Sequence, residues 1–330
     1  MTTTHGWRGT SRARTGRRAP GLGLLTALAL GACSVSGGGS TSTTSGPGTG
    51  SGASPAAYRC TTSSAVTVAT HDSFGVSDEL LKDFTAKTGC VATVVKAGDA
   101  GALTNKLVLT KSSPIADAVY GIDNAFAGRA VKEGVLAPYS PTLPTGASAH
   151  ALPGAAAGLL TPVDYGDVCV NVDTTWFAAK GLAAPATLDD LTKTQYRSLF
   201  VTPGATTSSP GLAFLLATIG AYGKDGWPDY WRKLVANDTK ITAGWTDAYS
   251  VDFTAGEGKG SRPIVLSYAS SPPFTIPKGG TAPTTAALLD TCFRQVEYAG
   301  VLAGAKNPDG AKAFVDFMLT KPVQESIPES

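Results

Sequence analysis

Two hydrophobic periods alternate along residues 65–134. The β-branched run AVTVAT at 65–70 predicts a short buried strand, and HDSF at 71–74 follows its carboxyl end. Within Asp78–Thr88, Leu80, Leu81 and Phe84 recur at helical spacing, and Gly89 supplies a stop. Cys90–Lys96 predicts a second strand, after which Asp99 can cap a helix reaching about Thr110 with Leu103 and Leu107 inward. IADAVYGI at 115–122 predicts a third strand, and Asn124 the start of a helix that ends before Gly134. Strands alternating with helices at this spacing predict an α/β fold whose mainly parallel sheet is covered on both faces, with ligands beyond the carboxyl ends of the strands. His71, Asp72, Ser73, Asp99, Asp123 and Asn124 all fall at such ends or at helix starts.

Residues 138–158 are rich in Pro, Ala, Gly and Ser and mark a break. Thr161–Asp173 then reads as an extended segment long enough to run from one lobe to another, a hinge candidate. TTSSPG at 206–211 precedes the apolar stretch 212–222, with Pro210 at the first helical turn, which proline favours. Ser208 or Ser209 would cap that helix, and free N–H groups there suit a polar or anionic ligand group. Pro228 opens a further helix carrying Tyr230, Trp231 and Leu234 as core, and Asn307-Pro308 begins the last one, with Phe314, Val315 and Met318 on one face. Between them, residues 242–274 place Trp245, Tyr249, Tyr268 and Phe274 beside Gly, Ser and Pro, around a short strand at 262–268. Rings gathered at loop edges suit a flat or cationic ligand, although large aromatics also serve as core. Capping alone accounts for Asp99, Asp123, Asn124 and Ser208 as readily as a ligand contact does. His71 reads either as a surface histidine or as a ring lining a cleft. The expected organisation is lobe 1 at 65–162, lobe 2 at 163–274 with the hinge near 163–173, and a return segment with the C-terminal helix at 275–330, assigned to neither lobe.

At 330 residues, 42% hydrophobic and 16% charged, the chain can bury one sizeable core or two medium ones. Its formal charge of +2 misleads, because Arg8, Arg12, Arg14, Arg17 and Arg18 lie in the first 32 residues, where there is no acid. Without those five the 27 bases fall to 22 against 25 acids, a net charge of −3. A nucleic-acid partner is therefore not expected. The basic start, the apolar run 22–30 and Gly31-Ala32-Cys33 form an export signal, since the run is far below the roughly 20 residues that cross a bilayer. LGAC at 30–33 resembles the lipobox of bacterial lipoproteins, which implies lipidation of Cys33; Arg17-Arg18 also permits twin-arginine export. Residues 33–64, almost wholly Ser, Gly and Thr up to Pro55, form a flexible tether that would hold the domain at the outer face of the cell membrane. The remaining Cys60, Cys90, Cys169 and Cys292 are even in number in an exported chain, and of three pairings Cys60–Cys90 with Cys169–Cys292 keeps each pair within one predicted half. No zinc pattern, phosphate-cradling glycine motif, GxSxG or HExxH occurs, so neither a cofactor nor an enzyme is expected.

Six blocks in order carry a resemblance: VTVATHDSF at 66–74, ADAVYGIDN at 116–124, VDYG at 163–166, SSPGL at 208–212, GWTDAY at 244–249 and LSYASSPPF at 266–274. Together they resemble the thiamine-binding periplasmic proteins of ABC importers. The resemblance implies a two-lobed, type II periplasmic-binding-protein-like fold, a monomer that closes on thiamine or its phosphates and delivers it to a membrane permease driven by an ATPase. By position it makes Asp99 the acidic contact, Ser208 the contact at a helix start, and Trp245, Tyr268 and Phe274 the aromatic contacts, with Tyr249 in the same block as Trp245. His71 stands where the family more usually has tyrosine, as does Phe274, which puts two hydroxyl contacts in question. Family members usually continue past the equivalent of residues 327–330 with a segment supplying another cleft aromatic, so weaker binding is expected here. The alternatives are a ferric-ion or polyamine carrier on the same fold, although the chain has no Tyr-Tyr pair of the kind iron carriers use, and a thiamine-degrading transferase, which needs a reactive cysteine.

Overall fold

Most helices begin at side-chain caps, and two end at left-handed glycines. The computed structural model describes residues 58–60 and 64–329. The export signal, Cys33 and nearly all of the tether lie outside the described residues. In chain order the elements are β1 (Ser64–Thr70), α1 (Asp78–Thr88), β2 (Cys90–Lys96), α2 (Ala100–Leu109), β3 (Ala118–Asp123), α3 (Ala127–Lys132), β4 (Leu136–Ala137), β5 (Thr161–Asp173), α4 (Thr174–Lys180), β6 (Phe200–Pro203), α5 (Ser209–Ala236), β7 (Lys240–Thr242), β8 (Ile264–Tyr268), β9 (Thr285–Leu302), α6 (Pro308–Met318) and α7 (Lys321–Ser326). Ser77 accepts the Leu80 N–H at the start of α1, and Gly89 ends it in the left-handed region. Asp173 caps α4 through the Trp176 N–H, and Asn307 caps α6 through the Gly310 N–H.

The nine strands of the described residues form one sheet in the order β2-β1-β3-β9-β5-β8-β6-β7, with β4 paired to β9. Around β1 and around β6 the pairing is parallel; β5 and β9 run antiparallel to each other and to β8 and β3 respectively. The β5–β9 ribbon contributes to separate cores at its two ends. At one end Val163, Ala299 and Val301 pack with Val66, Val68, Phe84 and Phe314. At the other, Val168, Val170 and Val172 pack with Phe177, Phe200, Phe214 and Leu266. Helix α6, from the last segment of the chain, belongs to the core of β1 and α1. The two halves are thus joined by a pair of long strands, β5 and β9.

Both disulfides sit at strand ends or irregularities: Cys60–Cys90 at the start of β2, and Cys169–Cys292 across the ribbon. Next to the second bridge the register jumps from Val168–Phe293 to Val170–Leu288, so residues 289–292 bulge out of β9. Thr291 Oγ1 accepts the Val170 N–H at 2.9 Å and pins that bulge.

Several boundaries differ from expectation. Strand β9 was not anticipated, because Asp290, Thr291, Cys292 and Arg294 interrupt its alternation at the bulge and ion pair. Strand β3 starts at Ala118 rather than Ile115, and β8 at Ile264 rather than Arg262. Asn124 does not start a helix: its side chain brackets Val296, donating to the Arg294 carbonyl and accepting the Val296 N–H, each at 3.1 Å. Asp123 instead accepts the Ala125 and Phe126 N–H groups, and α3 begins at Ala127. The helices expected at 212–222 and after Pro228 are two limbs of α5, broken at Gly223 with φ 69° and ψ 174°.

Candidate functional site

A cavity of about 550 Å³ opens between the two halves. His71, Ser73 and Asp99 reach it from the side of β1 and α2, Glu297 from β9, and Ser209, Trp245, Tyr249, Tyr268 and Phe274 from the opposite side. The aromatic wall is assembled locally. Trp245 follows β7 by three residues, and its indole N–H donates to Ser267 Oγ at 3.0 Å. Ser267 Oγ lies 2.8 Å from Ser271 Oγ, which accepts the Tyr268 N–H. A π-helical turn, Asp247–Asp252, carries Tyr249 onto the Trp245 ring, with centroids 4.9 Å apart and planes 12° from parallel. Tyr268 stands at 59° to Trp245, half-buried, with its hydroxyl donating to Gln295 Oε1 at 3.4 Å. Phe274, 58% exposed, sits at the mouth.

Asp99 joins the two halves. Its Oδ1 accepts the Ala100 N–H at 2.6 Å and the Ser209 N–H at 3.4 Å, while Oδ2 accepts the Trp245 N–H at 2.9 Å. Beside it, the Ala102 N–H donates to the Thr207 carbonyl at 3.0 Å. Gly101 makes this approach possible, because a Cβ there would lie 2.6 Å from Phe126 and 2.7 Å from the Thr207 backbone. Ser208 is fully buried, accepts the Gly211 N–H as the cap of α5, and does not line the cavity; the neighbouring Ser209 does.

The floor of the cavity is ionisable. His71 fits because Gly121, at φ +100°, has no side chain: a Cβ there would be 2.1 Å from the His71 ring. His71 Nδ1 accepts the Ser73 N–H at 3.1 Å, so Nε2 carries the proton and donates to Glu297 Oε2 at 3.1 Å. Glu297 Oε1 accepts from Gln295 Nε2 at 2.8 Å. Asp164 lies opposite Glu297 in the β5–β9 register and accepts the Tyr120 hydroxyl at 2.6 Å. His71 and Glu297 side chains are 12% and 13% exposed, dry enough for their charges to matter but open to the cleft. Burial alone would lower the His71 pKa, but the Glu297 carboxylate, with Asp99 and Asp164 behind it, raises it above the ordinary value. Burial acts in the opposite sense on Glu297, and His71 holds it below the usual carboxylate range. Burial and the Glu297 charge push Asp164 up to about 7. Burial also pushes Asp123 up to about 7, against the N–H groups it caps.

The structure therefore brings His71, Asp99, Trp245, Tyr249, Tyr268 and Phe274 to one cavity. Asp72 does not line it and instead accepts the Gly98 N–H at 3.0 Å. Glu297 and Gln295 were missed because β9 was missed; the alternation of Val296, Tyr298 and Gly300 with Gln295, Glu297 and Ala299 was the available signal. The cavity also carries Glu257 and no lysine or arginine among the described residues, so its charge suits a cation. No group of three or more His, Cys, Asp or Glu placed to hold a metal occurs among the described residues. A second cavity of about 560 Å³, lined by residues that include His150, Asp164 and Tyr165, contains none of the candidate ligand contacts.

Comparison with known proteins agrees with this fold. The family model described as bacterial extracellular solute-binding protein matches residues 70–325. A thiamine-binding periplasmic protein of Escherichia coli (strain K12) is 31% identical over 269 residues, covering 80% of this chain and 78% of that protein. A protein of the same name from Brucella suis biovar 1 is 32% identical over 284 residues, covering 84% and 80%. Among solved structures, a periplasmic thiamin binding protein superposes with a TM-score of 0.68 at 30% identity, covering 80% of each chain.

Proposed function

Because the chain belongs to the family of bacterial extracellular solute-binding proteins, we propose that its cleft captures thiamine or a thiamine phosphate and hands it to an ABC permease and its ATPase. The observation that carries this reading is the pairing of a stacked aromatic wall, Trp245 on Tyr249 with Tyr268 beside it, with carboxylates and no lysine or arginine lining the same cavity. Thiamine is a flat, permanently cationic molecule. Such a ring over a cation contributes about 0.5–2 kcal/mol. The names of the relatives support the same ligand. The hinge ribbon supports capture by closure, and the hydrogen bonds from Trp245 and Ser209 to Asp99 describe how the halves meet.

In this reading Cys33 is the lipidated residue, residues 33–64 are the leash, and the folded domain works as a monomer at the outer face of the membrane. The role is binding rather than chemistry. A thiol-dependent transferase is disfavoured because Cys60, Cys90, Cys169 and Cys292 are all bonded in pairs. The acidic cavity also suits a polyamine, the second reading, whose ammonium groups can lie over the same rings, but only a planar cation can also stack flat on them. Calorimetry of the purified chain with thiamine, its monophosphate, its diphosphate and spermidine decides between them. A thiamine-family ligand binding at about micromolar or tighter is expected. Spermidine binding more tightly than all three would move the function to the alternative, and no thiamine-family binding tighter than about millimolar would end the proposal.

A further inference from the structure

We infer that the cation enters this cleft in exchange for a proton held on the His71–Glu297–Asp164 cluster, so that capture is favoured at neutral pH and weakened by acid. The inference rests on a cationic ligand, as proposed above, and adds the device that tunes its affinity. The cluster lies where the hinge strands pass between the two halves. Glu297 and Asp164 face each other across the β5–β9 ribbon, and His71, at the end of β1, closes on Glu297 from the cleft side. Two carboxylates this close in a largely dry site do not both ionise freely, so one proton is shared between the acids and the imidazole near neutrality.

The groups that face the cluster from each packed element determine the sign. From β3 comes Tyr120, donating to Asp164, and from β9 comes Gln295, donating to Glu297. Asp99 from the start of α2, and Asp123 and Tyr268 at the ends of β3 and β8, complete the set of titratable neighbours. None of them is a lysine or arginine; Arg294, further along β9, is paired with Asp167 on the surface. Without ligand, the proton is the mobile positive charge that offsets these acids. A ligand cation brought over the same floor supplies that charge and favours the deprotonated forms, so the proton leaves to solvent as the cation enters. The geometry of His71 matches this exchange. A proton added at Nδ1 would meet the Ser73 N–H, a donor facing a donor, so the imidazolium forms only by breaking that contact.

Calorimetry of thiamine binding to the purified full chain, run near pH 7 in two buffers of very different ionisation enthalpy, reads the proton directly. The expected result is release of between about half a proton and one proton per thiamine, with affinity rising up to about tenfold per pH unit from about pH 6 to 7 and levelling above about pH 8. The variants H71Q and D164N each reduce the release, and having two of them guards against either one failing to fold. Thiamine binding with the same heat in both buffers and the same affinity from about pH 6 to 8 overturns the exchange while leaving the thiamine reading intact. So does full proton release retained in both variants. Absence of any thiamine binding removes the reading beneath it and the exchange together.

Discussion

Replacing Trp245 with alanine tests the aromatic wall most directly. The indole stacks on Tyr249 at 4.9 Å, stands beside Tyr268, and is held by its bond to Ser267, so one truncation removes a ligand face and loosens its neighbour. A ring over a cation contributes about 0.5–2 kcal/mol. The stacked pair that pre-orders Tyr249 adds about 0.5–1.5 kcal/mol. Trp245→Ala should therefore weaken thiamine binding by about 1–3.5 kcal/mol, from roughly fivefold to a few hundredfold. Trp245→Phe keeps a ring face but loses the donor to Ser267, and should fall between the variant and the native protein. Titration calorimetry gives the affinities, and thermal unfolding without ligand shows whether the fold is kept, because Trp245 is only half-buried. Native-like affinity in a folded Trp245→Ala protein would refute the idea that this wall holds the ligand. An equal loss in both variants would assign the effect to the Ser267 hydrogen bond instead.

Three further perturbations probe closure and the ionisable groups. Asp99→Ala removes the acceptor of three N–H groups, so thiamine affinity should drop about tenfold or more, with a helix-cap loss of about 1 kcal/mol in unfolding experiments; unchanged affinity would show that this clamp is not needed for binding. Gly101→Leu should abolish tight binding and also lower the melting temperature, because the side chain would meet both the Thr207 backbone across the cleft and the buried Phe126 ring within its own half; small-angle scattering should then show a more open particle, and native affinity would contradict the assigned closure. Asp123, at about 7 when folded against an ordinary 3.8, holds its proton more tightly in the folded state, so it costs stability increasingly as pH rises from about 4 through 7. Asp123→Asn should accordingly raise the melting temperature at about pH 8 clearly more than at about pH 4, and an equal effect at both would show the carboxyl titrates normally.

How much could be read in advance depended on whether a signal was local. The cap Asp99, the Asn307-Pro308 start, the stop at Gly89 and the first-turn Pro210 act within a few residues, and the helices begin and end beside them. Thr161–Asp173 was legible as one long extended segment because Val163, Val168, Val170 and Val172 carry the β-branched pattern past Pro162 and Gly166, and it is the single strand β5. Its partner was not legible. Strand β9 owes its continuity to cross-strand pairing and to the Cys169–Cys292 bridge at its bulge, and these involve residues more than a hundred positions away. With β9 went Glu297 and the entire His71–Glu297–Asp164 cluster.

The sequence by itself determined the strand–helix alternation, the aromatic-rich stretch and the presence of His71, Asp99, Trp245 and Tyr268 at element ends, because side-chain period and turn chemistry are properties of neighbouring residues. Only the tertiary structure decided which oxygens and rings face one another. Asp99 accepts N–H groups from two elements of the opposite half, and Ser208 turns into its own helix while Ser209 faces the cavity. Likewise, Glu297 acquires its place only when β9 folds back between β3 and β5. Such placements depend on contacts between residues far apart in the chain, and no pattern along the chain encodes the direction in which a side chain points once two halves close.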